Sequence, residues 1–188
     1  VTPMQFDPNA NRIVAGYNDL YEYNGGWNQL STFNFPALLR HIEFYDGNSS
    51  VIYVSTNDRV YRTLNNGTAF SEVTNNLNGI LAGNTITSIE VDPADSSRVW
   101  VSIGGFTNGA KLAYTADGGL NWSNVSGTLP NLPCNIVKYE GTSAVSNALY
   151  VGMDIGVYYS DDALGDFIPF MVNLPNVIVN DLEINEAS

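Results

Sequence analysis

The chain has 188 residues, 44% of them apolar, enough for one domain with a sizeable core. Its formal net charge is −12, with seven Lys and Arg against nineteen Asp and Glu, and it has a single cysteine. This excludes a basic surface for nucleic acid or acidic lipid and any intramolecular disulfide, and no apolar run nears the roughly 18 residues of a membrane-spanning helix. Aromatics, glycines and β-branched residues are abundant, which favours strands joined by turns.

The chain opens VTPMQFDP, without the charged start and apolar block of a signal peptide, and reads as the inside of a repeat. Three strands follow in order: MQFDP at 4–8, RIVAG at 12–16 and LYEYN at 20–24. FPALLRHIEF is the longest helix candidate, but it has no good cap and runs into strand-like residues. The set then recurs as HIEFYD at 41–46, VIYVS at 51–55 and VYRTLN at 60–65. A third set is ITSIEVDP at 86–93, RVWVS at 98–102 and LAYTAD at 112–117. A fourth is NIVKYEG at 135–141, ALYVG at 148–152 and VYYSDD at 157–162. VNDLEIN at 179–185 repeats the leading strand once more.

The second strands start 39, 47 and 50 residues apart. With a short fourth strand after each set, this predicts an all-β chain of four-stranded blades, a portion of a β-propeller. The repeats fall at about 4–38, 39–85, 86–134 and 135–178, and 179–185 is expected to open a further blade. A tandem sandwich is the alternative, but its strands would not recur in this way.

A turn recurs with the strands. TADGGLNW at 115–122 holds Thr115, Asp117, Gly119 and Trp122 at offsets 0, +2, +4 and +7, and TLNNGTAF repeats them as Thr63, Asn65, Gly67 and Phe70. SDDALGDF keeps Ser160, Asp162 and Phe167 with its glycine displaced to Gly165, and YNGGW at 23–27 is a shortened version. An Asp or Asn in such a turn accepts bonds from backbone N–H groups a few residues on. The glycine supplies a positive φ, and the aromatic returns to cover apolar surface. Asp117 is therefore expected to cap a turn, not to act as an acid.

The pattern [ST]-x-[DN]-x-G-x-x-[WF] resembles the Asp-box, or BNR repeat, of sialidases, xyloglucanase-like glycoside hydrolases, sortilin-type receptors and photosystem assembly factors. LPNLPCNIV, LYVGMDIGVYYSDD and VNLPNVIVNDLEIN are most similar to secreted Asp-box propellers of gliding and gut-type bacteria. The resemblance runs from about Phe6 to the end. It implies a propeller of about six to eight blades, a secreted or cell-surface location, and turns at the blade periphery, away from the ligand face. It thus implies fold more firmly than activity.

Ligands of propellers usually meet the rim. The second-to-third-strand turns carry Asp19, Asp58 and Asp154, candidates for facing a glycan or a cation, although hairpins favour Asp in any case. The inner strands add Glu43, Glu90, Asp181 and Glu183. An inverting glycosidase needs two carboxyl groups roughly 6.5–9.5 Å apart, and the sequence singles out no pair. Sialidase chemistry, as the family performs it, needs three arginines around a carboxylate. Arg12 and Arg98 begin equivalent strands, Arg59 and Arg62 share a hairpin, Arg40 leads a blade, and no Arg-Ile-Pro signature is present.

His41 is the lone histidine, which excludes a histidine triad or His cluster within the chain. Cys134 and Trp100 read as core. GGFTNG reads as a hairpin tip, because no helix follows it. No metal or other cofactor is expected; the run Asp46-Gly47-Asn48 would take Ca²⁺ only with help and is commoner as a bare turn. The expected role is non-catalytic binding or scaffolding, with a glycan or protein ligand and the remaining blades of a parent chain as partners. Nucleic-acid binding and membrane insertion are not expected. The alternative is part of a xyloglucanase-like hydrolase using paired carboxylates.

Overall fold

A computed structural model describes residues 2–141 and 147–185. It contains four antiparallel four-stranded sheets, each a meander of consecutive strands. The first holds β1 (Met4–Asp7), β2 (Arg12–Gly16), β3 (Leu20–Tyr23) and β4 (Trp27–Gln29). The second holds β5 (His41–Phe44), β6 (Ile52–Ser55), β7 (Val60–Thr63) and β8 (Ser71–Glu72). The third holds β9 (Ile86–Asp92), β10 (Asp95–Ile103), β11 (Leu112–Thr115) and β12 (Ser123–Asn124). The fourth holds β13 (Cys134–Glu140), β14 (Ala148–Met153), β15 (Gly156–Ser160) and β16 (Ile168–Pro169). The architecture is a partial β-propeller.

The sheets stack through three apolar layers, because the second and third strands of each sheet carry apolar residues on both faces. Val14 and Leu20 of the first sheet pack on Ile42, Phe44, Ile52 and Val54 of the second. Tyr53 and Val60 on the second sheet's other face meet Ile89, Val91, Val99 and Val101 of the third. Trp100 and Leu112 of the third meet Val137, Tyr139 and Val151 of the fourth. Trp100 is core, with its ring 4.5 Å from that of Tyr139. Cys134 lies in the same layer, where burial pushes its thiol up to about 12.

Among the described residues helix is confined to α1 (Leu77–Leu81), a single turn that buries Leu77 and Leu81 in the layer between sheets two and three. FPALLRHIEF forms none: it crosses between sheets and enters β5. The expected leading strand at 179–185 also differs. It has no sheet pairing among the described residues. Val179 N–H donates to the Met153 carbonyl at 3.0 Å and its carbonyl accepts from Asn135 at 3.2 Å, so the segment lies beside the fourth sheet without extending its ladder.

Arg12 and Arg98, matched in sequence, act as matched struts between sheets. Arg12 Nε donates to Asp7 at 3.0 Å, Nη1 to Glu22 at 2.6 Å, and Nη2 reaches Asn66 in the next sheet's turn. Arg98 donates to Asp92 at 2.7 Å and to Asn147 of the next sheet at 2.6 Å. Both guanidiniums are thereby engaged within the protein.

Candidate functional site

The peripheral turns are built first. Thr115 Oγ1 donates to Asp117 Oδ1 at 2.7 Å and accepts the Gly119 N–H at 3.0 Å; Asp117 Oδ1 also accepts the Asn121 N–H at 2.9 Å. The other turn repeats this, Thr63 Oγ1 to Asn65 at 2.8 Å, Gly67 N–H to Thr63 at 3.1 Å and Ala69 N–H to Asn65 at 2.9 Å. Gly119 has φ +91°, and a Cβ there would lie 2.7 Å from Val73, so both dihedral and space require glycine. Trp122 inserts between sheets two and three and donates its indole N–H to the Val73 carbonyl at 2.8 Å. Asn76 grips the Trp122 backbone through both its N–H (2.9 Å) and its carbonyl (2.8 Å). Phe70 lies in the layer between sheets one and two.

The third turn corrects its expected register. Asp161, not Asp162, accepts the N–H groups of Ala163 and Leu164, at 2.8 and 2.7 Å. Asp162 instead accepts from Asn147 at 2.7 Å. The cause is the displaced glycine: Leu164 stands at the +4 place, and the positive φ is supplied by Gly165, at +68°. Phe167 still packs against the layer between sheets three and four.

The rim candidates sit on separate hairpins. Asp19 accepts from Leu20 N–H at 2.8 Å and Gln29 at 2.6 Å, Asp58 from Thr56 at 3.3 Å, and Asp154 from Asn135 at 3.0 Å. Each is held by its own sheet, and no described cavity gathers them.

The inner strands do gather charged groups. Gln5, Glu43, Glu90 and Lys138 occupy one register position in four consecutive first strands, opposite Val14, Tyr53, Trp100 and Tyr150. Glu43, Glu90, Lys138 and Glu183 line a cavity of about 410 Å³. A neighbouring cavity of about 330 Å³ is bordered by residues of β1, β5, β9 and β13 and by Asp181–Glu183, which marks the axis of the sheets. Lys138, which the sequence reading passed over, donates to Glu90 Oε2 at 2.7 Å. Glu90 Oε1 accepts the Tyr139 N–H at 3.1 Å, fastening β9 to β13.

Burial, reinforced by the charge of Glu90 and opposed by Lys138, pushes the Glu43 carboxyl up to about 8. Burial also raises Glu90, against the pull of Lys138 and the Tyr139 N–H. Burial works against the Lys138 ammonium, but Glu43 and Glu90 outweigh it and hold its pKa above the ordinary lysine value. At neutral pH the cavity therefore presents Glu43 chiefly as the neutral acid, beside the Glu90–Lys138 contact at 2.7 Å and with Asp46 and Glu183 on the same lining. His41, lower on β5, pairs with Ser55 at 2.8 Å, and burial lowers its pKa to about 4. Among the described residues no group of three or more His, Cys, Asp or Glu is placed to hold a metal, and no helix is long and apolar enough to cross a membrane.

No family model matches the chain. A xyloglucanase of Hypocrea jecorina (strain QM6a) is 25% identical over 128 residues, 68% of this chain and 15% of that protein. Among solved structures, an ancestral GH74 enzyme superposes with a TM-score of 0.63 at 17% identity, covering 86% of this chain and 22% of its own. The extracellular domain of BT4673 from B. thetaiotaomicron gives 0.65 at 17% identity, covering 93% and 23%. YCF48 from Cyanidioschyzon merolae gives 0.58 at 17%, covering 88% and 48%. The chain thus spans about 15% of the length of the curated relative it matches and less than half of each structure. The superpositions support the propeller fold.

Proposed function

We propose that this chain is a portion of a secreted or cell-surface propeller that binds a glycan at its axial cavity without cleaving it. The similarity to a xyloglucanase over 68% of the chain carries the ligand class, a glucan bearing many hydroxyls. The cavity supports it: the Glu43 acid and the Lys138 ammonium supply donors, and the carboxyl oxygens of Glu43 and Glu183 supply acceptors, to hydroxyl groups. On this reading the turns at 63–70 and 115–122 are Asp-boxes, structural and remote from the ligand.

Hydrolysis needs two carboxyl groups free to act on opposite sides of one bond. Both oxygens of Glu90 are engaged, by Lys138 and by the Tyr139 N–H. One observation favours the second reading, a xyloglucanase-like hydrolase: Glu43 is protonated at neutral pH, as a general acid must be, and Glu183 lines the same cavity.

The test is calorimetric titration with xyloglucan and mixed-linkage glucan oligosaccharides, beside reducing-sugar release. Binding without turnover is expected, weakened about tenfold or more in Glu43→Gln and Lys138→Met and unchanged in Asp117→Ala. Turnover abolished by Glu43→Gln would establish the hydrolase reading instead. Binding that survives these variants but is lost in Asp19→Asn, Asp58→Asn or Asp154→Asn moves the site to the rim.

A further inference from the structure

Three turns border the layers between sheets at the periphery, and two of them close their layer fully. Phe70 and Trp122 fill the first two layers and are 7 and 3% exposed. Phe167, after the turn whose glycine is displaced, stays half-buried. Beside it a cavity of about 580 Å³ opens between the third and fourth sheets, a size that suits a small ligand. Trp100 and Tyr114 line it from the third sheet, their ring centroids 5.0 Å apart, and Leu149 and Phe167 line it from the fourth. Trp100 is buried, so the half-buried Tyr114 is the ring that a ligand would meet.

The same shift of register leaves polar groups uncommitted in this cavity. In the turns at 63–70 and 115–122 the leading hydroxyl is spent, because Thr63 and Thr115 each bond an acceptor and a glycine N–H. Ser160 lines the cavity at the matching place, and its hydroxyl meets no partner among the described residues. The Tyr114 hydroxyl accepts from Arg98 Nε at 3.1 Å, and its own O–H has no described acceptor. Asp162 accepts from Asn147 through one oxygen and leaves the other open among the described residues. The walls are held in place: Thr128 donates its N–H and its hydroxyl to Asp166 at 2.9 and 3.0 Å, joining the two sheets beside the mouth.

We propose that this cavity binds one neutral sugar ring, at a site separate from the axial cavity. A pyranose carries an apolar face of axial C–H groups, ringed by hydroxyls. That face fits the Tyr114 ring. The hydroxyls find a donor in Tyr114, an acceptor in Asp162 and both in Ser160. Charge points to a neutral ligand: a cation would face the Arg98 guanidinium, and an anion the carboxylates of Asp161, Asp162 and Asp166. Both oxygens of Asp161 are already taken, by the Ala163 and Leu164 N–H groups and by the Tyr159 hydroxyl.

The experiment is saturation-transfer NMR with calorimetric titration, using the methyl glycosides of glucose, galactose, mannose and xylose. At least one binds saturably, in the millimolar range. Tyr114→Phe and Ser160→Ala each weaken it about threefold to tenfold, the scale of one hydrogen bond. Ser160→Phe sets a ring inside the cavity and abolishes binding, while Glu43→Gln leaves it unchanged. The urea midpoint of Ser160→Ala matches the wild type, since that hydroxyl holds no described bond, so its loss of binding is not a loss of fold. No binding by any of the four sugars overturns the proposal, and so does binding that Ser160→Phe leaves intact. Binding that Glu43→Gln removes places the sugar at the axis and overturns it as well. The glucan reading of the axial cavity is tested by Glu43 and Lys138 variants, so either site can fail alone.

Discussion

Two carboxyl groups on neighbouring blades are driven in opposite directions. At the periphery Asp117 is pulled down to about 2, by the Asn121 amide and N–H and the Thr115 hydroxyl. At the axis Glu43 is pushed up to about 8, chiefly by burial. The difference lies in what surrounds them: the turn surrounds its carboxylate with donors, whereas the axial cavity surrounds its acid with another acid and a lysine already paired. A group fully engaged by its own turn has no capacity for a ligand; one that is poorly satisfied has. The contrast supports the proposed division, with architecture at the periphery and recognition at the axis.

The hardest way to break this comparison is to remove the plug that ties the periphery to the core. Trp122→Ala deletes a buried indole between sheets two and three and leaves the Val73 carbonyl without its donor. The loss should be about 3–5 kcal/mol, read from urea unfolding. Phe167→Ala, where the ring is half-buried and makes no such bond, should cost clearly less. Equal losses would mean that the two turns are anchored alike.

The axial half is tested by pH. The folded pKa of Glu43 lies above its ordinary value of 4.5, so the folded state holds the proton more tightly than the unfolded. Stability from this group is therefore complete below about 4.5 and lost as pH rises through about 8. Glu43→Gln keeps a neutral amide at every pH. Thermal unfolding should show the variant close to the wild type at pH 5 and more stable at pH 9, by about 1–3 kcal/mol, the order that a raised carboxyl pKa sets through linkage. A constant difference across that range would show that Glu43 is already ionised at pH 5 and would remove the contrast.

The strands were legible because the middle strands carry apolar residues on both faces, so apolar runs such as VIYVS and RVWVS recur in one register. The turns at 63–70 and 115–122 were legible because a hydroxyl, an acceptor and a glycine must stand at fixed offsets for the bonds to close. The third turn was misread for the same reason: one shift of its glycine hands the acceptor role to Asp161. Of the axial group, Glu43, Glu90 and Glu183 could be named from their strands, but Lys138 was missed. Its signal was present, since it stands between two apolar residues of its strand, Val137 and Tyr139, as Gln5, Glu43 and Glu90 do in theirs. The roles of Asn75 and Asn76 follow no motif. Asn75 donates to the carbonyls of Gly119 and Leu120, at 2.9 and 3.0 Å, and Asn76 to that of Trp122, from about 45 residues away in sequence.

The smallest expected effect separates the two acids that the sequence places at equivalent turn positions. Asp117 is the acceptor at the centre of its turn; Asp162, in the matching place, meets only the Asn147 amide among the bonds described. Asp117→Ala should lower the unfolding midpoint at pH 7, and Asp162→Ala should lower it less, with Asp161→Ala taking the larger share in that turn. The pH dependence follows from the shift. Because the folded pKa of Asp117 is depressed from 3.8 to about 2, its stabilisation is present above about 4 and disappears as pH falls through 2. The wild type and Asp117→Ala should therefore converge in acid, while glycan titrations at pH 7 stay the same for both. A gap that persists at pH 2, or a selective loss of glycan binding, would show that the carboxylate does more than close its turn.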